Sequence, residues 1–294
     1  MKSVTALYRS LVIGADSTIG AALAKALRLK GRVVAETSRR ELNNCIRLDL
    51  LRDDERRALP TDFDVAYLCA GITDCARCRH LPHEARAVNV DGTVAVARRL
   101  VTAGCRVIFL STNRVFDGSI PFTPRTSEYF PHTEYGRTKV EAERQLRALG
   151  PLVSIVRFSQ VWAAHRHLFQ AWRELLLAGQ AIHPLENMFL APVPLPLAIE
   201  TLCRLGDREA FPIVQLSARE DISYAAVAYR MAARLQVDVC LVQPRNTFEA
   251  EGGLEHVPRH TTLEVGAPES ALGIHAPDPW QAIEDALSAG HGHP

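Results

Sequence analysis

No apolar run of the length a bilayer crossing needs, about 18 residues or more, occurs in the 294-residue sequence. The opening MKSVTALYRSLVIG also has no apolar h-region ahead of a small-residue cleavage site. Both absences lead to the expectation of a cytoplasmic chain without a membrane partner. An excess of charge is missing too, because 34 basic side chains stand against 33 acidic ones. That balance leaves no electrostatic footprint for nucleic acid and no polybasic face for lipid. The seven cysteines are odd in number and scattered from Cys45 to Cys240, which fits thiols of a reducing compartment rather than a disulfide framework. Cys75-Ala-Arg-Cys78 is a CxxC, but no second pair or histidine pair follows at zinc spacing, so no metal is expected. His165 and His167 read as solvated histidines. Repeats and low-complexity tracts are absent. The partner these exclusions leave is a small molecule.

What is present is enough apolar matter, 47% of the residues, to bury a sizeable core. Short apolar runs alternate with helical patterns through the first half, the mark of successive βαβ units. Strands are expected at Ser10 to Ile13, Arg32 to Glu36, Cys45 to Leu48, Val65 to Cys69, Arg106 to Leu110 and Val153 to Phe158. Helices are expected at Ile19 to Leu29, Pro82 to Ala103 and Glu134 to Leu149. The fold class is α/β, a Rossmann-type doubly wound parallel sheet with a smaller C-terminal substrate-binding lobe. Residues 1–160 form the expected dinucleotide-binding domain and 161–294 the lobe, with a helix near 196–205 packing back on the first domain. The proline-rich run PLENMFLAPVPLPLAIE cannot be a central strand. A strand (Ile213 to Leu216), a helix capped by Ser223, a strand (Val239 to Val242) and a helix (Trp280 to Leu287) follow.

Gly14-Ala-Asp-Ser17-Thr18-Ile19-Gly20 follows a strand and opens a helix, the context a dinucleotide turn requires. Gly14 suits the tight turn, and Gly20 permits close helix–sheet packing near a pyrophosphate at the helix N-terminus, beside Thr18 and Ile19. Ser17 stands where the middle glycine is usual. Its Cβ hinders close approach of phosphate, while its hydroxyl could donate to a phosphate oxygen. At the end of the second strand the position of a ribose-binding acid holds Ser38, followed by Arg39 and Arg40. Two guanidinium forks suit a 2′-phosphate, so NADP is the preferred cofactor, and Glu36 keeps NAD open. Asp49, beside Leu50, either meets the adenine edge or caps a turn. Cys69, Ala70 and Gly71 leave the fourth strand where the cofactor should lie.

Tyr135-Gly-Arg-Thr-Lys139 opens a helix, and a spacing of four puts phenol and ammonium on one face. A nearby ammonium favours the phenolate and is expected to lower the phenol's pKa from about 10. Ser111 and Thr112 end a strand, where a hydroxyl can hydrogen-bond a substrate carbonyl. Arg157 and Arg173 are candidates for a diphosphate clamp, with a structural ion pair as the other reading of Arg157.

The Gly14–Gly20 turn, Cys69-Ala-Gly71, Asn89-Val-Asp-Gly-Thr93, STNRVFDG and YGRTK together resemble the extended short-chain dehydrogenase/reductases. Within that family the likeness is to the dTDP-4-dehydrorhamnose reductase branch, whose strand-end motif is similar to STDYVFDG. The resemblance implies reduction of a keto sugar on a nucleoside diphosphate. Tyr135 would protonate the alkoxide, Thr112 orient the oxygen, and Lys139 hold the nicotinamide ribose. Asn89 would support the site. Tyr135 and Lys139 thus count as cofactor contacts as well as catalytic ones, and a homodimer is left open. This chain writes Asn113-Arg114 for the branch's Asp-Tyr. A second reading keeps the fold but not the chemistry: a non-catalytic NADP-binding regulatory or partner-binding protein.

Overall fold

The computed structural model describes residues 8–162, 167–208, 211–246 and 257–288. His165 and the terminal HGHP lie outside them. The chain begins with β1 (Arg9–Ile13), α1 (Thr18–Leu29), β2 (Val33–Ser38), β3 (Ile46–Arg47) and α2 (Asp53–Ala58). Next come β4 (Val65–Leu68), α3 (Cys75–His80), α4 (Pro82–Arg86) and α5 (Thr93–Thr102), then β5 (Arg106–Thr112), α6 (Glu134–Arg147) and β6 (Val153–Phe158). The remainder holds β7 (Gln160–Trp162), α7 (His167–Leu177), β8 (Phe189–Leu190), β9 (Pro192–Pro194), α8 (Leu195–Gly206), β10 (Ile213–Leu216), β11 (Ile222–Ser223), α9 (Tyr224–Leu235), α10 (Ala267–Ala271) and α11 (Pro279–Ser288).

Seven strands pair in the order β10-β6-β5-β4-β1-β2-β3, each neighbour parallel. Strand alternation divides their side chains between two cores. Val12, Tyr67, Ile108 and Val156 meet α1 and α8 on one face. Leu11, Ile13, Leu68, Phe109 and Ile155 meet α5 and α6 on the other. Both faces being covered, the strands read as continuous apolar runs. The chain winds outward from β1 to β3, then returns to β4 on the other side of β1. The crevice at the carboxyl ends of β1 and β4 is therefore the topological switch point. A third core, built on Trp162, Phe169, Trp172, Tyr224 and Met231, belongs to the C-terminal segments. No described helix is long and apolar enough to cross a membrane.

Several sequence expectations change. β2 runs on to Ser38 and β5 to Thr112, each past its expected end. The helix expected from Pro82 to Ala103 is interrupted by a π-helical segment, Ala87–Gly92. There a Cβ on Gly92 would meet the Leu50 carbonyl at 2.2 Å, so the chain packs backbone against backbone. α2, DDERRA, has no buried residue; its acidic start and basic end suit the helix dipole without any apolar periodicity. Ile213–Leu216, placed in the lobe by chain order, pairs with β6 and extends the central sheet. The strand expected at Val239 to Val242 is a single 3₁₀ turn. The prolines of β9 sit in a two-stranded pair with β7, away from the central sheet.

One buried ion pair ties these layers. Arg157 on β6 is 1% exposed and Glu143 on α6 is 0% exposed, 2.7 Å apart. Ser111 and Tyr129 also donate to Glu143, while Arg157 donates to Gln215 of β10 and to the Arg125 carbonyl. Removing one partner strands a charge that burial makes expensive. Arg157→Met should lower unfolding free energy by about 3–5 kcal/mol, and the double change with Glu143→Leu by much less. Urea midpoints of the single and double variants check this; equal losses would contradict it.

Candidate active site

A cavity of about 330 Å³ opens at the switch point. Its walls include Gly14, Ser17, Arg39, Arg40, Asp49, Leu50, Cys69, Ala70 and Gly71. Gly14 has φ +84°, and a Cβ there would stand 2.7 Å from the Ala70 nitrogen. Only glycine allows the β1 turn to approach the β4 loop this closely. Gly20 meets the same constraint in the first turn of α1, where a Cβ would lie 2.2 Å from the Gly14 carbonyl. The cavity thus has the glycine-lined cradle at a helix N-terminus that fits a dinucleotide.

Six expected cofactor contacts are not in the wall: Thr18, Ile19, Gly20, Ser38 and, on α6, Tyr135 and Lys139. Thr18 is exposed, Ile19 packs on the core, and Gly20 is buried beneath the turn. Ser38 is 1% exposed, and its hydroxyl accepts from the Arg40 nitrogen at 2.9 Å. Ser38 therefore shapes the loop that presents both arginines. Ser17 also differs from expectation. Its hydroxyl donates to the Gly14 carbonyl at 2.7 Å and accepts from the Gly20 nitrogen at 3.1 Å, so its proton is committed to capping α1 rather than to a phosphate. Asp49 accepts from the Leu51 nitrogen at 2.9 Å, the turn-capping alternative, while still facing the cavity. Glu36 is turned into an ion pair with Arg28.

Sequence reasoning missed Asp16 and Thr37, which also line the cavity. Asp16 lies 3.8 Å from Arg40. Thr37 accepts from the Gly14 nitrogen at 3.3 Å, joining the glycine turn to β2. Its position at the carboxyl end of the second strand was the available signal.

Asn89 links this cavity to the tyrosine helix. It sits in the π-helical segment, 1% exposed. Its Oδ1 accepts from the Ile72 nitrogen at 2.7 Å, and its Nδ2 donates to the Ile72 carbonyl at 2.9 Å and to Thr138 Oγ1 at 3.2 Å. Across Gly71, where a Cβ would stand 4.0 Å from the Lys139 ammonium, the cofactor loop meets α6. Thr112, Tyr135 and Lys139 are all buried. The Tyr135 phenol lies near Thr112, and the Lys139 ammonium donates to the Leu110 carbonyl at 2.8 Å.

The expected lowering of the phenol's pKa is not what the site does. Burial pushes Tyr135 well above the usual phenol value, outweighing the Arg114 charge and the Thr112 hydroxyl that pull it down. The Lys139 ammonium lies 5.9 Å from the Tyr135 ring centre and 4.4 Å from that of Phe109, and burial lowers its own pKa to about 8. Desolvation disfavours the charged form of each group. The phenol is consequently held protonated, ready to donate.

Other candidates find structural roles. Ser111 donates to Glu143, leaving Thr112 as the strand-end hydroxyl beside Tyr135. Arg157 belongs to the same buried pair and is no diphosphate clamp. Cys75 and Cys78 stand one turn apart on α3 and form no disulfide among the described residues. They pack beside Tyr135, and burial pushes Cys78 up to about 11. Nε of Arg173 is buried without a hydrogen-bond partner. Two small cavities that share Asn113, Arg114 and Pro258 form a cleft between the Asn113–Val115 turn and residues of the C-terminal segments, among them Gln160, Met188, Tyr224 and His260.

Comparisons with known proteins agree with this arrangement. Residues 8–290 match the family described as RmlD substrate binding domain. A dTDP-4-dehydrorhamnose reductase of Mycolicibacterium smegmatis is 31% identical, over 96% of this chain and 85% of its own. A probable low-salt glycan biosynthesis reductase, Agl14 of Haloferax volcanii, is 24% identical over 95% of this chain and 96% of its own. Among solved structures, the dTDP-4-dehydrorhamnose reductase of Bacillus anthracis in complex with NADP superimposes with a TM-score of 0.83. It covers 96% of this chain and 98% of its own at 17% identity, a likeness of fold. The family match runs through both the glycine-lined cavity and the cleft at the Asn113–Val115 turn, and this protein belongs to the RmlD substrate-binding domain family.

Proposed function

We propose that the protein is an NADP-dependent reductase of a keto group on a nucleotide-linked sugar, with the C-terminal segments packed around Trp162, Phe169, Trp172, Tyr224 and Met231 as the substrate-binding lobe. The observation that carries this reading is the buried set of Thr112, Tyr135 and Lys139 beside a cradle fit for a dinucleotide. Its relative in Mycolicibacterium smegmatis carries the name of a reductase of this kind. Bound NADPH supplies hydride. Arg39 and Arg40 hold the adenosine phosphate by charge-assisted hydrogen bonds. Lys139, next to Gly71, would hold the nicotinamide ribose, and Thr112 would orient the substrate carbonyl. As negative charge develops on the carbonyl oxygen, Tyr135 gives it a proton. Burial supports the donor role, because a phenol of raised pKa rests in its protonated form.

Three outcomes follow. Tyr135→Phe should cut turnover of a 4-keto sugar nucleotide by about 10²–10⁴-fold while NADPH still binds, as cofactor fluorescence will read; unchanged turnover would remove the phenol from the chemistry. Replacing Arg39 and Arg40 together by alanine should weaken NADPH by about tenfold or more and leave NADH nearly unaffected. Lys139 titrates at about 8 in the free protein, and the anionic cofactor favours its protonated form. Above pH 8 binding of NADPH should therefore take up protons, and well below it should not. Calorimetry in buffers of different ionisation heat checks the sign, and Lys139→Met should abolish the uptake.

A further inference from the structure

Asn113 and Arg114 occupy the 3₁₀ turn that leaves β5 just beyond Thr112. Where the resembling branch writes an acid and a neutral ring, this chain has an amide and a cation. The turn is held from both sides. Thr112 Oγ1 accepts from the Arg114 nitrogen at 3.2 Å, and a Cβ on Gly136 would lie 2.3 Å from the Arg114 carbonyl. The residue beside Tyr135 thus packs directly on the Arg114 backbone, which fixes where the guanidinium can reach.

Arg114 lines both small cavities of the cleft. One is bounded by His132, Thr133 and His260, the other by Gln160, Met188 and Tyr224. Arg114 is half-buried, and among the described residues no carboxylate pairs with its guanidinium. No carboxylate of the described residues lines either cavity, and Asp221, which stands behind the lining residues His260 and Thr261, is already occupied. It accepts from the Thr261 nitrogen and hydroxyl at 2.8 and 2.7 Å, and from Thr262 at 3.1 Å, with the His260 ring at 3.2 Å. Arg114 also supplies the strongest positive influence on the Tyr135 phenol, which places its charge near the reacting end of the cleft.

A partly desolvated guanidinium without a counter-charge is costly, and a planar fork recovers most when it meets two oxygens of one oxyanion. We propose that Arg114 is a specificity-determining residue that binds an oxyanion of the substrate in this cleft, either a carboxylate on the sugar or a phosphate oxygen of its nucleoside diphosphate. The proposal rests on the reductase reading above and names the chemistry that the substrate end of that site selects.

The test uses the NADPH-loaded full-length protein, its Arg114→Met variant, which keeps the stem and removes the charge, and Arg114→Lys, which keeps charge without the fork. Dissociation constants are measured by calorimetry for free UDP and dTDP, for UDP-glucose and dTDP-glucose, and for UDP-glucuronate. Loss of about tenfold or more across all of them in Arg114→Met, partly recovered in Arg114→Lys, identifies a phosphate. The same loss confined to UDP-glucuronate identifies a sugar carboxylate. Equal affinities in wild type and Arg114→Met, with NADPH still bound by both, overturn the proposal. Wild-type protein that binds none of these ligands overturns it together with the reductase reading. Ligand binding without turnover of any 4-keto sugar nucleotide overturns the reductase reading alone, because the affinities are read independently of reaction.

Discussion

The buried carboxylate of Glu143 is the constraint on which the site geometry depends. It lies on the same helix as Tyr135 and Lys139, and accepts hydrogen bonds from β5, from β6 and from the loop carrying Tyr129. A carboxylate at 0% exposure is stable only with every lone pair answered. Answering them locks the rotation and depth of α6 against the sheet. The phenol and ammonium therefore inherit their positions from an ion pair that stays outside the chemistry.

Asn89 does for the cofactor side what Glu143 does for the helix. By bonding both backbone groups of Ile72 and the Thr138 hydroxyl, it sets the distance between the loop after β4 and α6. The π-helical turn around it is what aims the side chain inward, consistent with the habit of such bulges to occur at functional sites. Gly71 is the space through which the two halves of the site face one another.

Burial also determines the charge states. Desolvation raises the Tyr135 pKa and lowers that of Lys139, which favours a neutral phenol and an ammonium that gives up its proton readily.

The sequence by itself determined the alternation of strand and helix, the β1–turn–α1 context of Gly14, and the shared face of Tyr135 and Lys139. These follow from periods of two and of 3.6 residues and from the steric freedom of glycine, all local properties. It could not show that Ser17 spends its proton on a helix cap, that Ser38 hides beneath Arg39 and Arg40, or that Arg157 pairs with Glu143 rather than with a substrate. Nor could it place Ile213–Leu216 beside β6 or aim Asn89 through a π-helical turn. Each of these depends on which groups meet across long stretches of chain. The direction of the Tyr135 shift belongs with them: spacing brings an ammonium near a phenol, but only the packed structure decides how much water is removed from both, and here desolvation is the larger effect.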